Sequence, residues 1–476
     1  MYTKLAKRQP FDQGVPKIQA PGIYGAGPNR PILYRIPTLG QRPMRFLADL
    51  PAGLRMDSDG VITGKADEGI YTITVQAINS LGIDEKQIVL IVAPRAICQT
   101  PLMGFTSWNA FVDKIDQNVI LNMAKLLRST GLADYGYQYV NIDSEWQGAY
   151  GGTFEAIMPN EKFPDMKKLC DDIHELGLKC GIYSTPMMNA FGRTKGMPGC
   201  TRGEMDMTYI ESARGIAKEH YEENNVRQWC SWGFDYLKYD WRPCDTVNAD
   251  RMRKALDRAD RDFGLSITVK AMYEDREYWK ANCSSWRDNR DSEDNWDRLV
   301  EICFGCDKWL GQCLPGHYFD LDMLEIGVME LFEGRSKLTE DEQLVGYTAR
   351  VIFPSPIQIS CDLSQLTEFE LDMLCNEEVI AVNQDMLCKS AACVLEEKTC
   401  AKDATLLKHI KIYEKQLYDG DTAVAVFNLG NTTEEITISA ERARDLWAKE
   451  NLQPVDGEVS LTVYPHTVRL LKNKMA

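Results

Sequence analysis

The sequence predicts an α/β chain: a (β/α)8 TIM barrel flanked by an N-terminal β-sandwich and a C-terminal antiparallel β domain. Three observations predict it. Residues 98–385 alternate strand-like and helix-like segments eight times, which is the arithmetic of a barrel. Short β-prone runs separated by turns precede and follow that region. The length of 476 residues is about three times an ordinary domain, enough for two or three domains.

Composition narrows the function classes. Hydrophobic residues at 44% and charged residues at 26% are an ordinary globular balance, which excludes long disorder and coiled-coil rods. A net charge of −16 repels phosphate backbones, so no nucleic acid partner is expected. No run approaches the roughly 18 apolar residues of a spanning helix, so no membrane insertion is expected. The fifteen cysteines show a single CxxC spacing, Cys303 and Cys306, and the five histidines are scattered. Neither a zinc site nor a disulfide framework is expected from that distribution. The opening MYTKLAKRQPFDQG lacks the apolar core of a signal peptide, but a removed signal would leave the same sequence.

In chain order, residues 1–30, rich in Gly and Pro, read as a lead-in arm. Residues 31–95 read as a small sandwich: Tyr71, Ile73, Val75 and Ala77 alternate with Thr72, Thr74 and Gln76, and Asp59-Gly60 is a hairpin signal. The series LPAGL, GVITG and GIYTITV resembles the immunoglobulin-like modules attached to bacterial carbohydrate enzymes, and a spacer or packing role is favoured over sugar binding. Residues 96–387 form the barrel, with strands expected at 101–106, 137–142, 179–184, 235–240, 266–271, 284–290, 313–319 and 356–361. Between them lie amphipathic stretches such as Ile120, Met123, Ala124 and Leu127, and capping-box pairs Thr339/Glu342 and Thr367/Glu370. A doubly wound open sheet would give a similar alternation; the barrel is preferred. Residues 388–476 return to strands, HIKIYEKQLY, DTAVAVFNLG, EEITISA and VSLTVYPHTVRLL, expected to cover apolar barrel surface.

A barrel gathers the side chains at its strand ends into one mouth. There the sequence places Trp108 after the first strand, Asp143 after the second, Tyr183 at the close of the third, Lys238 and Asp240 in the fourth, Arg287 and Asp291 from the sixth, and Asp322 past the seventh. Carboxylates accept sugar hydroxyls and aromatic faces pack on sugar C–H surfaces, so the set suits a glycosidase and a carbohydrate substrate. Glycoside hydrolysis needs two carboxyls, and Asp240 and Asp291 are the chosen pair. Lys238, two residues before Asp240, points to the same face of the strand and favours its ionised form. Each residue alone has a plainer reading, as a helix cap or a surface ion pair. Their coincidence at successive strand ends outweighs it.

The segments TPLMGFTSWNAF (100–111), YGYQYVNIDSEW (135–146), FPDMKKLCDDIHELGLKCGIYS (163–184), WGFDYLKYDW (232–241), SSWRDNRDSEDNW (284–296), FDLDMLEIG (319–327) and VIAVNQDML (379–387) resemble, in order, the motifs of glycoside hydrolase family 27. That family contains α-galactosidases and α-N-acetylgalactosaminidases. The resemblance implies that Asp240 is the nucleophile and Asp291 the acid/base of a retaining mechanism with no cofactor. It implies that Trp108, Asp143, Tyr183, Lys238, Arg287 and Asp322 line the sugar subsite. The N-terminal β module resembles the bacterial architecture of this group.

Four departures from the family pattern bear on the substrate. Ser144 stands where the family has a second Asp that holds the axial 4-hydroxyl, with Glu145 as a candidate replacement. Met272 stands about where galactosidases place a Glu that reads the C2 substituent, with Lys270 or Glu274 as substitutes. Arg242 replaces the Cys two residues after the nucleophile, so the familiar active-site disulfide is expected to be missing. The loop 185–230 is longer than usual. The expected function is a retaining exo-α-galactosidase or close relative. The alternatives are an α-N-acetylgalactosaminidase, a β-L-arabinopyranosidase, an α-glucoside hydrolase and, outside catalysis, a sugar-binding relative. β modules at both ends point to export, while free cysteines fit a cytoplasm better.

Overall fold

A computed structural model describes residues 2–206 and 215–474. Its centre is an eight-stranded, all-parallel sheet of the TIM-barrel kind. In chain order its strands are β1 (Met103–Thr106), β2 (Tyr139–Asn141), β3 (Lys179–Ser184), β4 (Tyr236–Asp240), β5 (Gly264–Thr268), β6 (Ser285–Trp286), β7 (Tyr318–Phe319) and β8 (Ile357–Ile359). Neighbours follow chain order, and β8 returns to pair with β1. Past β7, the Leu324 amide donates to the Gln358 carbonyl at 2.9 Å, bridging the remaining gap to β8. All five residues of β5 are buried, as a strand covered on both faces requires.

All the strands but β3 are shorter than the sequence reading, and for three of them the cause is visible. β5 stops at Thr268 because the chain turns at Lys270, whose φ is +64°. β6 and β7 keep two residues each, since the chain beyond them is drawn into side-chain hydrogen bonds around Asp322.

The helices pack outside the sheet. Gln117–Ser129 buries Ile120, Met123, Ala124 and Leu127 on one stripe, and Asp116 caps it by accepting from the Val119 amide at 2.8 Å. Both capping boxes form, at Thr339/Glu342 and Thr367/Glu370. Helix Glu340–Ile352 is buried almost all round, because the C-terminal sheet covers its outer side; Trp447 Nε1 donates to Thr348 Oγ1 at 3.0 Å.

The N-terminal region holds a four-stranded and a three-stranded sheet that share one core, including Tyr34, Ile62, Val75 and Leu90. Residues 1–30 are more than an arm. Ile23–Ala26 pairs in parallel with Val89–Val92, and Lys17–Ile18 pairs with Thr38–Leu39. Residues 3–8 strap the molecule: the Thr3 amide donates to Asp341 at 2.8 Å, the Ala6 amide to the Trp447 carbonyl at 2.8 Å, and Arg8 reaches Asp372 at 2.7 Å. Non-local pairing of this kind leaves no period in a Gly- and Pro-rich segment. These sheets dock at the amino ends of the barrel strands, where Lys179 Nζ donates to the Tyr24 hydroxyl at 2.8 Å and lies over the rings of Tyr24 and Tyr139. The mouth at the carboxyl ends is left open. The C-terminal strands begin at Ala392 and form a six-stranded antiparallel sheet beside a two-stranded one. Phe427 and Tyr413 of that sheet each meet a barrel-side phenylalanine, Phe304 and Phe353, at 4.8 Å between ring centroids.

Candidate active site

A cleft of about 240 Å³ opens at the carboxyl ends of the strands. It is smaller than the roughly 300–1,000 Å³ of drug-sized pockets, a scale suited to one sugar ring rather than a long chain. Trp108, Asp143, Ser144, Tyr183, Lys238, Asp240, Arg287, Asp291 and Asp322 all line it.

Each side chain has a traceable support. Asp240 ends β4, and the Tyr183 hydroxyl from the end of β3 donates to its Oδ2 at 3.0 Å. Lys238, two residues earlier on the same strand face, reaches Asp143 Oδ2 instead, at 2.7 Å. Asp143 is further fixed by the Ser144 amide at 2.8 Å, and its own amide donates to Ser107 Oγ at 2.9 Å. Arg287, almost wholly buried, joins two carboxylates: Nη2 lies 2.7 Å from Asp291 Oδ1, and Nη1 pairs with Asp322. Asp291 lies in the loop after β6 with 70% of its side chain exposed, so it faces whatever enters.

Asp322 has a φ of +65°, a position at which a non-glycine residue needs support. Its amide donates to Asp320 at 2.8 Å and its Oδ2 accepts from the Ser292 amide at 2.8 Å. Beneath it the buried Arg350 donates to the carbonyls of Leu321 at 2.9 Å, Asp322 at 3.1 Å and Met323 at 2.6 Å.

The charges divide the two central carboxyls. Burial pushes Asp240 above the usual carboxylate range, outweighing the attraction of Lys238 and Arg287. Partial desolvation by the cleft wall acts the same way on the more exposed Asp291, but there the charges of Arg287 and Lys238 and the Arg287 hydrogen bond win and hold it below that range. Asp320, buried beside Asp322, is pushed up to about 6. Lys238 stays above the ordinary lysine value, because Asp143 and Asp240 outweigh its burial.

Three sequence expectations need correction. Met272 does not line the cleft: it is 48% exposed, and its carbonyl accepts from Trp279 Nε1 at 2.9 Å. The early end of β5 turns Lys270, Met272 and Glu274 away and leaves Val269 in the lining. Glu145 does not replace the missing carboxylate either, since it is buried and accepts from the backbone amides of Arg193 at 2.5 Å and Thr194 at 3.1 Å. The Ser144 hydroxyl donates to the Phe191 carbonyl. The fifteen cysteines are free thiols, and Cys244 donates to the Val269 carbonyl at 2.9 Å. Of the long loop 185–230, residues 207–214 lie outside the described residues.

The cleft also contains residues that strand-end reading does not find. Asn109, Ser292 and Met323 are each one position from a residue the sequence singles out, and adjacency would have found them. Phe191 and Leu331 come from loops, and no periodicity marks them. Arg242 stood out as a departure from a motif; in the structure it lies over the Phe191 ring at 5.2 Å.

Comparison with known proteins agrees with this geometry. Residues 100–385 match the family described as alpha galactosidase A, and residues 408–473 match the alpha galactosidase C-terminal beta sandwich domain. An α-galactosidase of Cyamopsis tetragonoloba is 30% identical over 399 residues, 79% of this chain and 87% of that protein. A solved structure from Bacteroides fragilis, assigned to the α-galactosidases/melibiases, is 27% identical, with a TM-score of 0.85 over 98% of this chain and 99% of that one. A family 27 β-L-arabinopyranosidase of Geobacillus stearothermophilus, solved with arabinose, is 25% identical, with a TM-score of 0.66 over 79% of this chain and 98% of that one. With a matched catalytic barrel, a matched C-terminal sheet and a cleft of paired carboxylates between buried cations, the chain belongs to the alpha-galactosidase family of glycoside hydrolases.

Proposed function

We propose that the protein is a retaining exo-glycoside hydrolase that releases terminal α-galactosyl residues from oligo- or polysaccharides. One observation carries the reading: Asp240 and Asp291 face a single cleft, with Tyr183 on the first and Arg287 on the second. An Asp240 oxygen attacks the anomeric carbon as its bond to the leaving oxygen breaks, and Asp291 gives that oxygen its proton. Asp291 then takes a proton from the water that splits the glycosyl-enzyme ester. Lys238, Asp143, Arg287 and Asp322 form two ion-paired walls that can exchange hydrogen bonds with sugar hydroxyls, and Trp108 offers an aromatic face. Retention requires the two carboxyls about 5–5.5 Å apart when the sugar is bound, against roughly 6.5–9.5 Å for inversion.

The N-terminal sheets, on this reading an immunoglobulin-like packing module of bacterial type, brace the barrel opposite its mouth. The paired β modules support an exported enzyme.

Hydrolysis of p-nitrophenyl α-D-galactoside by the wild type and by Asp240→Asn tests the assignment. Turnover by the wild type and a loss of at least a thousandfold in the variant are expected, with an α-anomer as the first sugar product. Equal rates in the two proteins would overturn it. A second reading, β-L-arabinopyranosidase, is favoured by the likeness to the family 27 β-L-arabinopyranosidase of Geobacillus stearothermophilus, since that sugar has the galactose ring without C6. A β-L-arabinopyranoside preferred over the galactoside by tenfold or more in kcat/KM would select it.

A further inference from the structure

Three cations line the cleft, and two of them are claimed by the chain's own carboxylates. Lys238 holds Asp143, and Arg287 holds Asp291 and Asp322. Arg242 forms no ion pair among the described residues and is exposed at the cleft mouth, near enough to Asp291 for its charge to act on that carboxyl.

The guanidinium is nevertheless well placed. The backbone before it is pinned: the Trp241 amide donates to the Thr268 carbonyl at 2.7 Å, and the Trp241 carbonyl accepts from the Val269 amide at 3.0 Å. Its platform is pinned as well. The Phe191 amide donates to the Tyr183 hydroxyl at 3.3 Å and the Phe191 carbonyl accepts from Ser144, so the ring under Arg242 is tied to the residues around Asp240. An arginine stacked on an aromatic face keeps its fork of donors free for a planar or tetrahedral anion. With a net charge of −16 the molecule repels anions at long range, but that field is screened beyond about 8–10 Å, so a local guanidinium decides what the cleft accepts.

We propose that Arg242 receives an anionic group, a carboxylate or a sulfate ester, on the saccharide unit that carries the scissile α-glycoside. This rests on the glycosidase reading above, in which Asp291 protonates the leaving oxygen; Arg242 and Asp291 are the two exposed charges among the described residues that line the cleft, so Arg242 stands on the leaving side. The preferred substrates are α-galactosides of acidic saccharides, and the bond-breaking step is unchanged.

The test compares three α-galactosyl disaccharides whose second unit is a neutral hexose, a hexuronic acid or a sulfated hexose. kcat/KM is measured for the wild type, Arg242→Gln and Arg242→Lys, with melting curves to establish that each variant folds. The wild type is expected to favour one of the two acidic substrates at least tenfold, and which one identifies the anion. The preference is expected to fall below twofold in Arg242→Gln, to survive in part in Arg242→Lys, and to shrink with added salt. Equal turnover of neutral and acidic substrates by the wild type, or a preference that persists in Arg242→Gln, overturns the proposal while leaving the glycosidase reading intact. Calorimetry of the same disaccharides with Asp240→Asn decides the matter without turnover. If no substrate is hydrolysed the glycosidase reading fails, and tighter binding of an acidic disaccharide than of the neutral one still supports the anion site, whereas equal or no binding overturns it.

Discussion

Arg287 Nη2 lies 2.7 Å from Asp291 Oδ1, so the carboxyl proposed to protonate a leaving oxygen is one whose ionised form its neighbours favour. Asp240 goes the other way, since burial favours its protonated form. A single proton shared by the pair therefore rests mainly on Asp240, and the productive arrangement, Asp240 ionised and Asp291 protonated, is the minority form of the free enzyme.

That inversion predicts a bell-shaped pH dependence of kcat/KM whose limbs belong to the pair rather than to either residue. A 2,4-dinitrophenyl glycoside needs no proton on its leaving oxygen, so its alkaline limb should vanish while its acid limb stays. Asp291→Asn should cost about 10²–10⁴-fold with a poor leaving group and far less in the first step with dinitrophenyl. Equal losses on both substrates would remove Asp291 from the acid role.

Tyr183→Phe removes the hydroxyl that donates to Asp240 at 3.0 Å. A hydrogen bond to a charged group is worth about 1.5–3 kcal/mol, and its loss disfavours the ionised form of Asp240. Because the shared proton already rests on Asp240, the loss of about tenfold or more should cover the acid limb and the plateau of kcat/KM alike and fade on the alkaline limb, which moves to higher pH. A uniform loss at every pH would mean that the hydroxyl only positions the sugar or the Phe191 loop.

Lys238 and Asp143 form a buried pair at 2.7 Å. Truncating one partner strands a charge, at a cost of about 3–5 kcal/mol. Lys238→Met should lower the urea midpoint accordingly, and Lys238→Met with Asp143→Leu should recover much of that stability while activity stays lost. Additive losses in the double variant would mean that the pair does not act as a unit.

Asp143, Lys238, Asp240 and Asp322 are legible in the sequence because a parallel barrel brings strand ends to one place whatever the helices between them do. Phe191 and Leu331 reach the same cleft through loops whose course depends on packing, and no local pattern encodes that. Arg350, in the last turn of its helix, reads as an ordinary helical arginine; its role is visible only once the 321–323 turn lies across it. The strand pairing of Ile23–Ala26 is hidden for a related reason, since its partner lies more than sixty residues away. Met272 shows the converse error: a motif offset places it on the sugar, but the turn at Lys270 carries it to the surface.

Glu325 gives a prediction about stability. It is 3% exposed beneath the Asp291 loop, 3.6 Å from Arg350, and burial outweighs that arginine and pushes its carboxyl up to about 7. Unfolded glutamate titrates at about 4.3. Below that value both states hold the proton and Glu325 contributes no pH dependence. As the pH rises from there to about 7 the unfolded chain releases the proton and the native state keeps it, so stability falls. Above about 7 the loss is complete, at about 4 kcal/mol. Glu325→Gln keeps the shape and hydrogen-bonding capacity without the charge. Urea unfolding should therefore find the variant more stable than the wild type at pH 8, with the advantage shrinking steadily towards pH 4.5. A wild type more stable than the variant at pH 8 would mean that Glu325 is ionised in the native state and that its pairing with Arg350 outweighs its burial.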